Sequence, residues 1–153
     1  MFTLTRTSAA ILWVLTILAS PALAQSVRVI DGDTIKMDGT TYRLWGIDAP
    51  ETKQLCAEGW PAGKEATAYI RGLVAGHTVE CEARGKDKYG RTIGLCKADG
   101  FDIQAAMVGA GMAWAFLRYS HDYVVQEGEA QAANLGVHAH GCQPAWEWRT
   151  NHR

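Results

Sequence analysis

After residue 26 the apolar positions first follow a period of two. Val27-Arg28-Val29-Ile30 reads as a short strand, Thr34 to Met37 is β-rich, and Thr41 to Ile47 alternates as the next arm. Asp31-Gly32-Asp33 and Asp38-Gly39 supply the turns between them, the second as a hairpin turn. Pro50 stops the third strand, because proline has no N–H for the ladder. Residues 52–63 carry Gly59, Pro61 and Gly63 and read as loop. From Lys64 the period changes. Ala66, Tyr69, Ile70, Leu73 and Val74 fall on one helical face, and Ala75-Gly76 ends it. His77 to Glu82 alternates again, Ala83 to Gly90 is a charged loop, and Arg91 to Lys97 is a fifth strand. Asp102 can cap a helix whose face is Ile103, Ala106, Met107 and Ala110. Met112 to Leu117 is apolar and fits either a strand or buried coil. A last helix is expected from Asp122 to Asn134, stopped by Gly136, and Ala139 to Arg153 looks irregular. Five short strands with helices inserted late predict an α+β, mainly β fold: a small barrel capped by three helices.

The first residues follow a different pattern. Arg6 is the only charge before Arg28, Ala9 to Ala19 is an apolar run, and Pro21-Ala22-Leu23-Ala24 offers a small-residue exit. This reads as a secretory signal peptide over residues 1–24, with an uncleaved anchor as the alternative. The expected organisation is then a domain over 25–138 and a tail over 139–153, in a secreted or periplasmic protein.

Composition narrows the function. The 153 residues are 48% hydrophobic and 20% charged, with a net charge of −1. That describes a single domain with a real core rather than a disordered chain or a basic DNA-coating protein. Nucleic-acid binding would have to come from a local patch. The chain has four cysteines, Cys56, Cys81, Cys96 and Cys142. Export makes disulfides the expectation, and four cysteines allow three pairings. Cys81 and Cys96 lie on strands flanking the charged loop, which are expected to form a hairpin, so they are expected to pair. Cys56 is then left for Cys142, a bridge that would pin the tail beside the loop after Glu51. No CxxC is present, which argues against a zinc ribbon or a thioredoxin-like site.

The densest polar cluster is Asp31, Asp33, Arg43, Asp48 and Glu51. Strand alternation puts Asp31 and Asp33 on one face, and Arg43 on the neighbouring arm can sit opposite them. Carboxylates converging near one Arg make an oxygen-rich site suited to a hard cation such as Ca²⁺. Turn aspartates and a surface salt bridge are the bland alternative. A second cluster, Arg84, Lys86, Lys88 and Arg91 with Tyr89 and Gly90, could grip a phosphate and stack a base, or be solvated loop. His138-x-His140-x-Cys142 hints at a transition metal, although a disulfide-bonded Cys142 would be no ligand. The tryptophans of the mature part are expected to pack in the core or tail.

Three stretches, in this order and spacing, resemble the staphylococcal nuclease (thermonuclease) family: Val29-Ile-Asp-Gly-Asp-Thr-Ile-Lys36, Arg43-Leu-Trp-Gly-Ile-Asp-Ala-Pro-Glu51 and Asp87-Lys-Tyr-Gly-Arg91. The resemblance covers about residues 27–137. It implies an OB-fold five-stranded barrel with three helices and a Ca²⁺-dependent nuclease acting on DNA and RNA. By the same resemblance Asp33, Asp48 and the Ala49 carbonyl would hold Ca²⁺, with Asp31 as a supporting carboxylate. Glu51 would be the general base acting through a water. Arg43 and Arg91 would bind the scissile phosphate, and Lys88, Tyr89 and Tyr119 would lie near the nucleotide. The family archetype has Thr where this chain has Ala49, which removes a hydroxyl but no carbonyl ligand. It also carries two tyrosines where Leu117 and Tyr119 roughly align here. The alternative from another class is a catalytically silent OB-fold module that binds nucleic acid or another anionic partner. A monomer is expected.

Overall fold

In the computed structural model, residues 25–152 are described; the expected signal peptide over 1–24 lies outside them. Val27–Asp31 (β1), Thr34–Met37 (β2) and Thr40–Leu44 (β3) form an antiparallel meander, with Val29 opposite Ile35 and Thr34 opposite Arg43. β3 then pairs in parallel with Thr92–Ala98 (β6), which pairs antiparallel with Val79–Lys86 (β5). The main path is therefore β1-β2-β3-β6-β5, the strand order of an OB-type fold. Gln25 bridges its seam. The side-chain amide donates to the Val79 carbonyl at 2.7 Å and accepts from the Val79 N–H at 2.8 Å, standing in for a ladder pair between the start of β1 and β5.

Helix α1 (Ala62–Val74) lays Ala62, Ala66, Ile70 and Val74 against the barrel. Of these, Ala66, Ile70 and Val74 meet Ile35, Leu44, Ile47 and Val79 from the strands and Ile103, Met107 and Val108 from a second helix in one core. Burial of each such branched side chain stabilises the fold by about 1.5–3 kcal/mol. Tyr69, expected on the buried face, lies at its rim and is 37% exposed.

Several expected elements change shape. The third strand breaks after Leu44, because Gly46 adopts a left-handed φ of 69°. Ile47–Asp48 (β4) restarts after it and pairs with Trp114–Ala115 (β8), which settles the apolar run Met112–Leu117 as a short strand. β5 continues through Lys86, past a bulge between Ala83 and Gly85, so the charged loop shrinks to the turn around Asp87–Gly90. A short strand, Phe101–Asp102 (β7), precedes α2 (Ile103–Gly109), which the Asp102 carboxylate caps by accepting from Ala105 N–H. Helix α3 (Val124–Ala132) begins two residues later than expected.

The expected irregular tail contains a fourth helix, α4 (Ala145–Asn151), so the described residues hold four α-helices rather than the three expected. Pro144 introduces it with the fixed φ that suits a helix start. Its apolar side lies in a second small core of Trp114, Val137 and Ala145 with Trp60, Cys142 and Trp146. Local pattern missed this helix because most of its stabilisation comes from that docking rather than from its seven residues. Both expected disulfides are present, Cys81–Cys96 and Cys56–Cys142, with Cα separations of 4.1 and 4.8 Å.

Candidate active site

The β1–β2 turn and the β3–β4 break bring the acidic cluster together. The register that sets Thr34 opposite Arg43 places the guanidinium beside Asp33. Its Nη2 lies 3.0 Å from Asp33 Oδ2 and 2.8 Å from Asp48 Oδ1, so one nitrogen joins both carboxylates. Its Nη1 donates to the Ile47 carbonyl at 3.0 Å, which fixes the fork. Asp33 and Asp48 are both buried, Asp48 completely. The Ala49 N–H donates to Asp33 Oδ2 at 2.9 Å, and the Thr34 hydroxyl donates to Asp33 Oδ1 at 3.1 Å. Gly32 makes this packing possible. A Cβ there would lie 2.8 Å from the Ala49 Cβ and 2.9 Å from the Ala66 Cβ. Asp31 Oδ1 accepts from the Asp33 N–H at 3.2 Å.

Glu51 follows on a loop held from two sides. Its N–H donates to the side chain of fully buried Gln54 at 3.1 Å, and Gln54 in turn donates to the Gln143 carbonyl at 2.7 Å. At Gly63 the start of α1 touches the same loop so closely that a Cβ would collide with the Glu51 carbonyl.

Arg149 of α4 completes the cluster. Its Nη2 lies 2.6 Å from Asp48 Oδ2, while its Nη1 lies 2.7 Å from Glu51 Oε1 and 3.2 Å from Asp48 Oδ1. Sequence reasoning missed this residue. The Cys56–Cys142 pairing brings the tail to the Glu51 loop, but nothing local singles out Arg149, because its contact depends on the unforeseen helix.

Arg91 stands on the other side. Its Nε pairs with Asp87 Oδ2 at 2.7 Å, and its Nη1 lies 3.4 Å from the Thr34 hydroxyl. Thr34 therefore links Arg91 to Asp33. The Asp87 carboxylate also accepts from the Tyr89 and Arg91 backbone N–H groups, shaping the turn. Tyr89 is 71% exposed, with Lys88 Nζ 5.0 Å and the Arg91 guanidinium 5.6 Å from its ring centroid. Tyr119 is exposed, with its ring 5.1 Å from that of Phe116. The His138-x-His140-x-Cys142 hint dissolves: Cys142 is in a disulfide and His140 stacks on Trp60.

Electrostatics follow the crowding. Burial pushes the Asp31 carboxyl up to about 6, with the neighbouring Asp33 charge adding to it. Burial also raises Asp48, against the hydrogen bond from Arg149 and the charges of Arg43 and Arg149. Burial disfavours the charge on Arg149, but its bonds to Asp48 and Glu51 outweigh this and hold the guanidinium above its ordinary value.

Among the described residues, no three His, Cys, Asp or Glu side chains gather closely enough to hold a metal by themselves. The donor set still suits a hard cation. Asp33 and Asp48 offer carboxylate oxygens to a common atom, and Arg149 already lodges a positive charge against Asp48 and Glu51.

The site is thus a pair of buried carboxylates joined by the Arg43 fork on an OB-type fold, with Arg91 linked to them through Thr34. A family model described as staphylococcal nuclease homologue matches residues 41–139, and the chain belongs to that family. It is 40% identical over 131 residues to a protein of Escherichia coli O157:H7 described as an uncharacterized endonuclease, covering 80% of this chain and 82% of that one. It is also 40% identical over 101 residues to the succinoglycan biosynthesis protein ExoI of Rhizobium meliloti (strain 1021), covering 62% of this chain and 52% of that one. With the staphylococcal-like nuclease CAN1 of Arabidopsis thaliana it shares 33% identity over 114 residues, 72% of this chain and 33% of the other. The protein is a nuclease.

Proposed function

We propose that this nuclease is Ca²⁺-dependent, hydrolyses both DNA and RNA, and works as an exported monomer. The observation that carries the reading is the single Arg43 nitrogen within hydrogen-bond reach of both Asp33 and Asp48. Asp33, Asp48 and the Ala49 carbonyl would hold the cation, with Asp31 in support. When bound, Ca²⁺ supplies charge neutralisation at a phosphoryl oxygen. With so few protein ligands, affinity is expected to be weak, on the order of 10⁻⁴–10⁻³ M as in extracellular modules.

The chain's own residues do the rest. Arg43 and Arg91 present planar forks that bind the scissile phosphate and neutralise the charge it gains on attack. Glu51 accepts a proton from the attacking water at a side-chain oxygen. Asp87 orients Arg91, and Arg43 in turn fixes the spacing of Asp33 and Asp48. Lys88, Tyr89 and Tyr119 are exposed and flank the nucleotide. The two disulfides support an oxidising compartment, secreted or periplasmic, in line with residues 1–24 acting as a cleaved leader.

The test is digestion of single-stranded DNA and of RNA by purified protein, with Ca²⁺ or with excess chelator. Cleavage of both polymers with Ca²⁺ and of neither with chelator is the expected result. Full activity in chelator overturns the calcium reading, and cleavage of one polymer alone overturns the dual substrate.

A further inference from the structure

The tail is attached to the Glu51 loop at several independent points. Cys56–Cys142 links them covalently, Gln54 donates to the Gln143 carbonyl, the Ala57 N–H donates to the His140 carbonyl, and Trp60 stacks on His140 at 4.3 Å. These anchors all lie before α4. Beyond them α4 rests on Trp146, whose ring meets Trp114 and Phe116, and ends on the Arg149 fork. The anchors keep Arg149 at high effective concentration near the Glu51 loop.

Arg149 binds both oxygens of Asp48. Among the described residues Asp48 Oδ2 accepts from Arg149 alone, and Asp48 Oδ1 is shared between Arg43 and Arg149. Glu51 Oε1 accepts from Arg149 as well. A divalent cation drawn to Asp48 therefore meets a full-strength positive charge already bound to the same carboxylate. Two cations on one carboxylate in a buried site repel strongly. In the cation-free protein, however, fully buried Asp48 is neutralised from two sides, by Arg43 on Oδ1 and by Arg149 on Oδ2, and Arg149 also pairs with the partly exposed Glu51.

We propose that α4 is a cation-displaced latch on the hydrolytic site. Arg149 neutralises Asp48 and Glu51 when no divalent cation is bound, and the cation gains Asp48 only as Arg149 gives it up. Release frees the Glu51 carboxylate at the same moment, so cation binding and exposure of the base are one event. Cys56–Cys142 returns the latch when the cation leaves. This inference rests on the assignment of Asp33, Asp48 and Glu51 made above.

The experiment is a calorimetric Ca²⁺ titration of the intact, disulfide-bonded protein and of Arg149→Gln, with Lys53→Gln as a control for loss of one exposed positive charge near the same loop. Arg149→Gln is expected to bind Ca²⁺ at least about tenfold more tightly, a change of about 1.4 kcal/mol. Lys53→Gln is expected to stay close to wild type. Unchanged or weaker binding by Arg149→Gln overturns the latch. Amide exchange over residues 145–151 of the wild type gives a reading that needs no variant. Exchange is expected to speed up as Ca²⁺ saturates, and equal protection with and without Ca²⁺ overturns the latch. The two readings fail separately. Tighter Ca²⁺ binding by Arg149→Gln without any cleavage of nucleic acid sinks the phosphodiesterase assignment and keeps the latch. Ca²⁺-dependent cleavage with unaltered cation affinity in Arg149→Gln does the reverse.

Discussion

Asp48 and Arg149 lie 101 residues apart along the chain, yet their side chains meet at 2.6 Å in the middle of the site. The carboxylate is fully buried, while the guanidinium arrives on a helix at the far end of the chain. One end of this pair belongs to the barrel and the other to a docked tail. The buried carboxylate cluster and the docking of the tail are therefore linked through it.

Glu51→Gln keeps the shape of the side chain and its capacity to accept from Arg149 but cannot take a proton at neutral pH. Turnover is expected to fall by about 10²–10⁴ while substrate affinity is largely kept. Steady-state kinetics on single-stranded DNA check this, and near-wild-type turnover would remove Glu51 from the role of base.

Arg91 is held by Asp87 and reaches Thr34, so its fork has a set direction. Arg91→Lys keeps the charge and loses the paired donors. It is expected to lower kcat/KM by roughly tenfold or more, given the worth of charge-assisted forks. Lys97→Arg, on an exposed strand position, serves as the control. Equal behaviour of the two would remove the phosphate role from Arg91.

Gly63 lets α1 start against the Glu51 carbonyl, and a Cβ there would also lie 2.6 Å from the Glu51 carbonyl carbon and 2.7 Å from Thr52 Cα. All three neighbours are backbone and none can yield cheaply. Gly63→Ala is expected to lose stability by about 1–3 kcal/mol, as overpacking does, and to lose activity through displacement of Glu51. Gly72→Ala, where a Cβ meets nothing within 4 Å, is expected to leave both unchanged or raise stability slightly. Denaturant melts and activity assays on the two variants provide the comparison.

The Cys81–Cys96 bridge spans a sequence separation of 15 and joins residues directly opposite in the β5–β6 ladder. Replacing both by Ser is expected to cost about 3 kcal/mol, the chain-entropy value for such a loop. A denaturant midpoint unchanged from wild type would show that the ladder alone supplies that order.

Burial pushes the Glu127 carboxyl above its ordinary value near 4.5, against a hydrogen bond from the Ala115 backbone. A carboxyl whose folded pKa is raised adds no cost below the unfolded value. As pH rises past it the unfolded chain ionises first, so stability falls. Glu127→Gln removes that loss. Its melting temperature relative to wild type is expected to rise between pH 3 and pH 7, and a constant difference across that interval would contradict the assignment.

Much of the barrel was legible locally, because alternation, turn residues and a change of period are properties of neighbouring positions. Val27–Ile30, Thr34–Met37 and Arg91–Lys97 carried their strands in this way. Asp31, Asp33, Arg43, Asp48 and Glu51 stood out because they cluster within 21 positions of sequence. The structure draws Asp33, Arg43 and Asp48 together through one hairpin and the break after it, both short-range events. The cysteine pairing was accessible too, since the expected β5–β6 hairpin left one remaining pair.

What only the tertiary structure decided begins where partners are distant in sequence. The break of the third strand at Gly46 requires β8 as a partner for Ile47–Asp48. Helix α4 is too short to signal itself and exists by packing Trp146 and Ala145 onto Trp114 and Val137. Tyr69 lies at the rim of its expected buried face, 37% exposed, which the helical period alone did not reveal. Arg149 could be assigned only after all of this, since its place on Asp48 and Glu51 depends on a disulfide, a docked helix and a strand break acting together. The sequence determined the chemistry of the carboxylate and guanidinium cluster through short-range turns and strand registers. Long-range packing of apolar side chains, which no local pattern encodes, decided which further charge would close it.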